Sequence, residues 1–199
     1  MALGRVPTAS TPDYLLVREP AQLAAALAPL RQAPRLALDT ETTGLDPRKD
    51  RLRLLQLAAP NHPVVLVDLF ALQGDARRPL EALLCSSAEK VGHNLAFDLA
   101  FLQREGMPVA GPFFDTMLAS QVLEAGLATG HSLKEVVWRH LGLPLSKDEQ
   151  TADWGRGLSE GMLAYAARDA QVLLPLRERL ADELERARLW RTAQLEFRA

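Results

Sequence analysis

The segment Leu36-Ala37-Leu38-Asp39-Thr40-Glu41-Thr42-Thr43-Gly44-Leu45 decides both the fold and the chemistry of this chain. An apolar run precedes two carboxylates and turn-forming residues follow them, which predicts a buried strand that ends at a polar rim, at Asp39. Side chains two residues apart on a strand point to the same face, so Asp39 and Glu41 should converge while Thr40 points away. Converging carboxylates repel each other unless a cation lies between them. A hard divalent ion such as Mg²⁺ or Mn²⁺ suits such oxygen ligands.

The chain as a whole has the size and composition of one globular domain. It has 199 residues, of which 48% are apolar, and a formal charge of −2. Proteins that bind nucleic acid by broad phosphate neutralisation are usually basic, so any such contact here should be local or bridged by metal ions. Cys85 is the single cysteine, which excludes an internal disulfide and favours a cytoplasmic location. No run of about 18 apolar residues exists, so no membrane contact is expected.

Apolar periodicity predicts an α/β fold. We expect residues 1–13 to form a tail and residues 14–199 to form one domain. Strands are expected around 14–17, 36–39, 51–58, 63–69 and 90–93, and helices around 20–32, 77–84, 94–104, 116–124, 132–141, 159–184 and 186–197. An antiparallel meander followed by alternating strands and helices predicts a central mixed β-sheet flanked by helices, with a helical C-terminal half.

A second acidic motif lies in residues 91–98, Val-Gly-His-Asn-Leu-Ala-Phe-Asp. Asn94 and Asp98 are four residues apart, so a helix would place them on one face. Asn94 could instead simply cap that helix. Asp98 is flanked by Phe97 and Leu99, and a carboxylate near a core must be paired or bound to metal.

A third motif is Tyr165-Ala166-Ala167-Arg168-Asp169, near the start of a strongly apolar helix. Tyr165 and Asp169 again share one helical face. Taken alone, this pair could be structural, with the tyrosine packed on a neighbour and the aspartate paired with Arg168 or Arg156.

Together, the order D-x-E, N-x-x-x-D and Y-x-x-x-D resembles the DEDD superfamily of 3′–5′ exonucleases. The subgroup with a catalytic tyrosine is the match, because the position of the alternative histidine is Ala164. The resemblance covers residues 14–199 and is greatest to the proofreading exonuclease domains of family A DNA polymerases. Residues 147–154 resemble a stretch also seen in ribonuclease D. This resemblance implies a ribonuclease H-like fold.

The resemblance also implies a two-metal-ion hydrolysis that uses Mg²⁺ or Mn²⁺. Asp39 would bridge both ions, Glu41 and Asp169 would complete the site of the ion that activates water, and Asp98 would serve the second ion. Tyr165 would orient the attacking water.

Four further residues match family positions near the substrate: Thr42, Leu45, His93 and Asn94. Leu45 would wedge against the terminal base, although it could equally be a core residue of a turn. His93 is expected to orient its neighbours rather than to bind metal. A basic cluster after the first motif could steer the phosphate backbone or be a solvated strand face; its members are Arg48, Lys49, Arg51 and Arg53.

The expected activity is removal of nucleoside 5′-monophosphates from the 3′ end of single-stranded or frayed DNA, in proofreading or repair. A polymerase domain, in the same chain or another, is a possible partner. One alternative is an RNA-processing exonuclease of the ribonuclease D type, which usually carries helical domains after the catalytic domain. The other is a catalytically silent scaffold domain, which the presence of all four acids and the tyrosine disfavours. The sequence leaves open DNA against RNA, and a free-standing protein against a fragment of a polymerase.

Overall fold

A six-stranded mixed sheet forms the centre of the computed structural model, which describes residues 12–145 and 152–198. Its strands, in the spatial order β1-β4-β3-β2-β5-β6, are β1 (Tyr14–Val17), β2 (Arg35–Thr42), β3 (Leu52–Ala58), β4 (Val64–Asp68), β5 (Glu89–Gly92) and β6 (Phe113–Asp115). Strands β2, β3 and β4 form the antiparallel meander. The other three strands are parallel to their neighbours. Strand β1 pairs with β4, β5 pairs with β2, and β6 pairs with β5. The predicted mixed sheet is therefore confirmed.

Helices cover both faces of this sheet. They are α1 (Pro20–Leu27), α2 (Arg78–Leu84), α3 (Leu95–Arg104), α4 (Thr116–Leu123), α5 (Leu133–Leu141), α6 (Glu160–Arg186) and α7 (Trp190–Glu196). One apolar core lies between the sheet and α1, α2 and α3, and a second lies between the opposite face and α4 to α7. Burial of both faces explains why β3 and β4 are buried at every position.

Strand β2 continues to Thr42, so the prediction that it ends at Asp39 is wrong. Pairing with β3 sustains it beyond that point, with an irregularity of register between Glu41 and Thr42. The chain then turns through Gly44, where an added Cβ would lie 2.4 Å from the Asp50 carboxyl. Both carboxylates of the first motif thus lie within a paired strand.

One helix boundary also differs from the prediction. The helix expected over 20–32 ends at Leu27 and is followed by a 3₁₀ turn, Pro29–Gln32, because proline lacks the N–H that an α-helix needs. Most of the tail expected at 1–13 lies outside the described residues. The backbone carbonyl oxygen of Asp13 accepts a 3.0 Å hydrogen bond from the Val64 amide and so extends the pairing of β1 with β4. Among the described helices, none is long and apolar enough to cross a membrane.

Candidate active site

A cavity of about 610 Å³ opens beside the C-terminal ends of β2 and β5, under the N-terminal half of α6. All nine residues that the sequence suggested for catalysis or substrate binding lie in its wall: Asp39, Glu41, Thr42, Leu45, His93, Asn94, Asp98, Tyr165 and Asp169. Segments separated by more than 100 positions therefore meet where the motifs predicted one site.

The four acids reach the cavity from three elements. Asp39 and Glu41 project from β2 on the face that α6 covers, as their spacing predicted. Asp98 comes from the first turns of α3. Asp169 lies one turn after Tyr165 on α6, a helix that Ser159 begins by accepting a 3.1 Å hydrogen bond from the Met162 amide.

Asp98 is fixed by a residue from the other face of β2. The Thr40 hydroxyl donates a 2.5 Å hydrogen bond to Oδ1 of Asp98, and both side chains are buried. The sequence correctly predicted that Thr40 points away from Asp39 and Glu41, but it gave no indication of this contact.

The surroundings of Asp39 and Glu41 favour the neutral form of both carboxyl groups. Burial raises the pKa of Asp39 well above its ordinary value, and the charges of Asp98, Glu41 and Asp169 raise it further. Burial likewise raises the pKa of Glu41, with Asp169 and Asp98 adding to the effect. The four acids thus form one electrostatically coupled group, whose full ionisation requires a compensating positive charge.

The other two acids each accept a side-chain hydrogen bond that opposes the effect of burial on the pKa. Burial raises the pKa of Asp98 to about 7, although the bond from Thr40 lowers it. Burial raises the pKa of Asp169 to about 6, and here the hydrogen bond from Tyr165 opposes the rise. Burial and the nearby Asp169 raise the pKa of the Tyr165 phenol, so this hydroxyl remains protonated and acts as a donor.

The donor set fits hard divalent cations in kind, since all four acidic groups offer only oxygen. In the part of the chain that the structure describes, however, no three His, Cys, Asp or Glu side chains are already arranged to hold a metal ion. Asp98 is instead bound by Thr40 and Asp169 by Tyr165.

His93 links three segments at the edge of the cavity. Its Nε2 lies 2.9 Å from the His131 carbonyl oxygen, to which it donates, and its Nδ1 lies 2.9 Å from Oγ1 of Thr116. Burial lowers the pKa of this imidazole. Both ring nitrogens are engaged with the protein, in agreement with an orienting role.

Asn94 precedes α3 in a left-handed conformation, with φ of 61°, and its side chain makes no capping hydrogen bond. The alternative that Asn94 is simply a capping residue is therefore not realised. Asp115 does the capping instead, accepting hydrogen bonds from the amides of Asn94 (3.1 Å) and Leu95 (2.7 Å). The exposed Asn94 side chain lines the cavity.

Asp115 also caps the next helix. Its Oδ1 accepts from the amides of Met117 (2.8 Å) and Leu118 (3.3 Å) at the start of α4. One carboxylate therefore fixes the beginnings of two helices, including the one that carries Asp98.

Leu45 is 82% exposed, which removes the alternative that it belongs to the core. Thr42, by contrast, uses its hydroxyl within the turn, where it donates a 2.6 Å hydrogen bond to the Gly44 carbonyl oxygen.

The basic cluster is not a single surface. Arg53 is buried, forms an ion pair with Asp68 and stacks on Phe70, so neither a steering role nor a solvated position fits it. Arg51 lies 4.1 Å from the centre of the same ring. The remaining two members, Arg48 and Lys49, are exposed and both pair with Asp46.

Sequence reasoning missed the wall that α5 supplies. His131, Ser132, Leu133 and Lys134 line the cavity where α5 begins. The capping box that Ser132 forms with Glu135 was a readable signal for this helix start, but not for its position in space. The cavity lining also includes Trp154, whose buried Nε1 has no hydrogen-bond partner among the described residues.

The family model described as 3′–5′ exonuclease matches residues 14–185. DNA polymerase I of Aquifex aeolicus (strain VF5) is 39% identical over 173 residues, which are 86% of this chain and 28% of the polymerase. Ribonuclease D of Bartonella henselae is 30% identical over 172 residues, which are 86% of this chain and 42% of the ribonuclease. The chain thus spans less than half the length of either relative.

Among solved structures, NrnC of Brucella melitensis superposes with a TM-score of 0.78 at 33% identity, over 86% of this chain and 83% of that one. A structure of the same protein with bound Mg²⁺ gives a TM-score of 0.78 at 29% identity, over 93% of this chain and 86% of that one. Its complex with pGG gives 0.74 at 32% identity, over 84% and 81% of the two chains.

Proposed function

Because this chain belongs to the 3′–5′ exonuclease family, we propose that it hydrolyses the terminal phosphodiester at the 3′ end of single-stranded or frayed DNA. The products would be nucleoside 5′-monophosphates. The observation that carries the proposal is the meeting of four carboxyl groups and one tyrosine hydroxyl in a single cavity, in the order and spacing of the family motifs.

Two divalent ions, Mg²⁺ or Mn²⁺, are the cofactors that this site would take. They would supply positive charge to the phosphodiester and lower the pKa of a bound water. Asp39 would bridge the ions, Glu41 and Asp169 would complete one ion site, and Asp98 would serve the other. The raised pKa values of Asp39 and Glu41 support this assignment, since bound cations would relieve the repulsion between carboxylates that causes part of the rise.

Tyr165 would orient the attacking water. Its protonated hydroxyl already points to one member of the acid group, because it donates to Asp169. A neutral phenol at this position can hold a water by hydrogen bonding without adding negative charge to the site.

The other cavity residues would receive the 3′ end. Leu45 is exposed at the rim and offers an apolar surface to the terminal base, and Asn94 presents its side-chain amide nearby. Lys134 is the cationic side chain among the described lining residues, so it is suited to a backbone phosphate of the incoming strand.

Hydrolysis of RNA is a second candidate function. It is favoured by the similarity to ribonuclease D and by the relative that was solved with pGG. For the DNA proposal, a polymerase domain is a possible partner, because DNA polymerase I is also among the relatives.

The test is digestion of one sequence, end-labelled, as single-stranded DNA, blunt duplex DNA and single-stranded RNA, with pGG as a fourth substrate. Each is incubated with Mg²⁺, Mn²⁺ or EDTA. We expect shortening from the 3′ end that needs metal, fastest on single-stranded DNA. Faster digestion of RNA or pGG would select the second candidate, whereas persistence in EDTA or digestion from the 5′ end would reject both.

Asp39→Ala provides the matched inactive protein. It should abolish digestion because it removes the proposed bridge between the ions. It should not lower the melting temperature of the metal-free protein, since it removes one of four mutually repelling groups. A strongly reduced melting temperature would instead assign Asp39 a structural role.

A further inference from the structure

Gln56 of β3 is completely buried, and neither its amide nitrogen nor its amide oxygen has a hydrogen-bond partner among the described residues. A buried amide without partners destabilises a folded protein. Such groups are rare in native structures, and where they occur they often serve a function or face the place of an absent ion or water.

The neighbours of Gln56 within the sheet are known from the strand register. Asp39 of β2 lies directly opposite on one side, and Leu66 of β4 on the other. Along β3, the residues on the same face are Leu54 and Ala58. Asp39 is thus the one polar residue among these four, and the three apolar neighbours belong to the core beneath α6.

Residues directly opposite in an antiparallel pair have Cβ atoms about 4.5–5.5 Å apart and project on the same side. A glutamine side chain extends far enough to cover that separation. The amide nitrogen of Gln56 can therefore reach the Asp39 carboxylate by a side-chain rotation, whereas the apolar neighbours offer it no acceptor.

We propose that Gln56 is a positioning residue for Asp39, donating an amide N–H to its carboxylate when that carboxylate binds a divalent cation. This inference rests on the proposed function, which makes Asp39 the ligand shared by two ions. Ligating carboxylates are themselves commonly hydrogen-bonded by a surrounding shell of residues that fixes their orientation. A buried amide that finds no partner among the described residues fits a site that trades stability for activity.

The test is Gln56→Met, which keeps approximate length and volume but removes both polar atoms. Without metal, the variant should melt at a higher temperature than the wild type, because the substitution removes the buried side-chain amide of Gln56. Its affinity for Mg²⁺, measured by calorimetry without nucleic acid, should fall by roughly 10- to 100-fold. Its rate of digestion at fixed Mg²⁺ should fall as well and recover when Mg²⁺ is raised.

Leu54→Met is the matched control, because Leu54 lies on the same strand and face, opposite Glu41. It should leave the Mg²⁺ affinity unchanged. Wild-type Mg²⁺ affinity in Gln56→Met would overturn the proposal, and so would a lower melting temperature, which would mean that the amide already makes stabilising bonds. Lack of nuclease activity in the wild type would reject the proposed function separately, since the calorimetric comparison needs no substrate.

Discussion

The hydroxyl of Thr40 and the carboxylate of Asp98 are joined by a 2.5 Å hydrogen bond that spans 58 positions of sequence. It connects the middle of β2 with α3, on the face of the sheet opposite Asp39 and Glu41. The bond favours the ionised form of Asp98. Three consecutive residues of β2 therefore contribute to the acid group: Asp39 and Glu41 as members on one face of the strand, and Thr40 through its bond to Asp98 from the other face.

Replacement of Thr40 by Val should therefore reduce activity without disturbing the core, because valine has nearly the same shape. Loss of the bond raises the pKa of Asp98, so less of it is ionised at neutral pH. A hydrogen bond to a charged group contributes about 1.5–3 kcal/mol, which corresponds to roughly a 10- to 100-fold loss of kcat/KM. The acidic limb of the pH–rate profile should move to higher pH. Thr40→Ser keeps the hydroxyl and should retain the wild-type profile, and an unchanged profile in Thr40→Val would show that the bond has no catalytic consequence.

The metal-free protein should lose stability as the pH rises from about 4 to about 7. The pKa of Asp98 is about 7 and that of Asp169 about 6 in the folded state, above their ordinary values. Across this interval the folded state binds more protons than the unfolded state, so the free energy of unfolding decreases with pH. Thermal melts in EDTA across this pH range measure the loss of stability. Addition of Mg²⁺ should restore the melting temperature at the upper end of the pH range.

Two charge-removing variants distinguish the source of this pH dependence. Asp98→Asn should make the melting temperature less dependent on pH, because the variant lacks one of the buried titrating groups. Asp182→Asn changes the charge equally at an exposed position of α6 and should leave the slope as in the wild type. Equal slopes in both variants would attribute the effect to groups elsewhere.

Tyr165→Phe should reduce the single-turnover rate by up to roughly 10²-fold. The ring and its packing are kept, but the hydroxyl that donates to Asp169 is lost. Mg²⁺ binding should survive because the four carboxylates remain, which calorimetry can verify. A rate equal to that of the wild type would leave the water to be oriented by metal alone and would reject a catalytic tyrosine.

Leu45→Ser should raise KM for single-stranded DNA and leave the melting temperature unchanged, because Leu45 is exposed at the cavity rim. Leu127→Ser is a suitable control, since Leu127 is also largely exposed but does not line the cavity. If both variants bind DNA like the wild type, the proposed contact of Leu45 with the terminal base is wrong.

Local pattern was sufficient to predict five of the six described strands, the seven described α-helices and the acidic residues of the site, but it missed the short edge strand β6. The i, i+2 spacing of Asp39 and Glu41 and the i, i+4 spacing of Tyr165 and Asp169 each place two groups on one face, whatever the rest of the chain does. These residues do line one cavity. The mixed sheet followed from the succession of strands and helices.

Contacts between distant segments could not be predicted in this way. The bond between Thr40 and Asp98 depends on how α3 packs against β2, and the cavity wall at Lys134 depends on where α5 docks. Arg53 has the pattern of an exposed strand residue, but its ion pair with Asp68 allows it to be buried. In each case the outcome is set by a partner that is far away in sequence.

Asp115 caps both α3 and α4 through its two carboxylate oxygens. Oδ2 accepts a hydrogen bond from the Leu95 amide, and Oδ1 accepts from the Asn94 amide and from the first amides of α4. An amide has only one acceptor oxygen, so asparagine could not replace both carboxylate oxygens and would lose either the bond from Leu95 or the bonds that Oδ1 accepts. The two helices consequently share a single anchor, and any displacement of α4 would be passed to the start of α3. A molecule that pressed on α4 from outside could in this way shift Asp98 without entering the cavity.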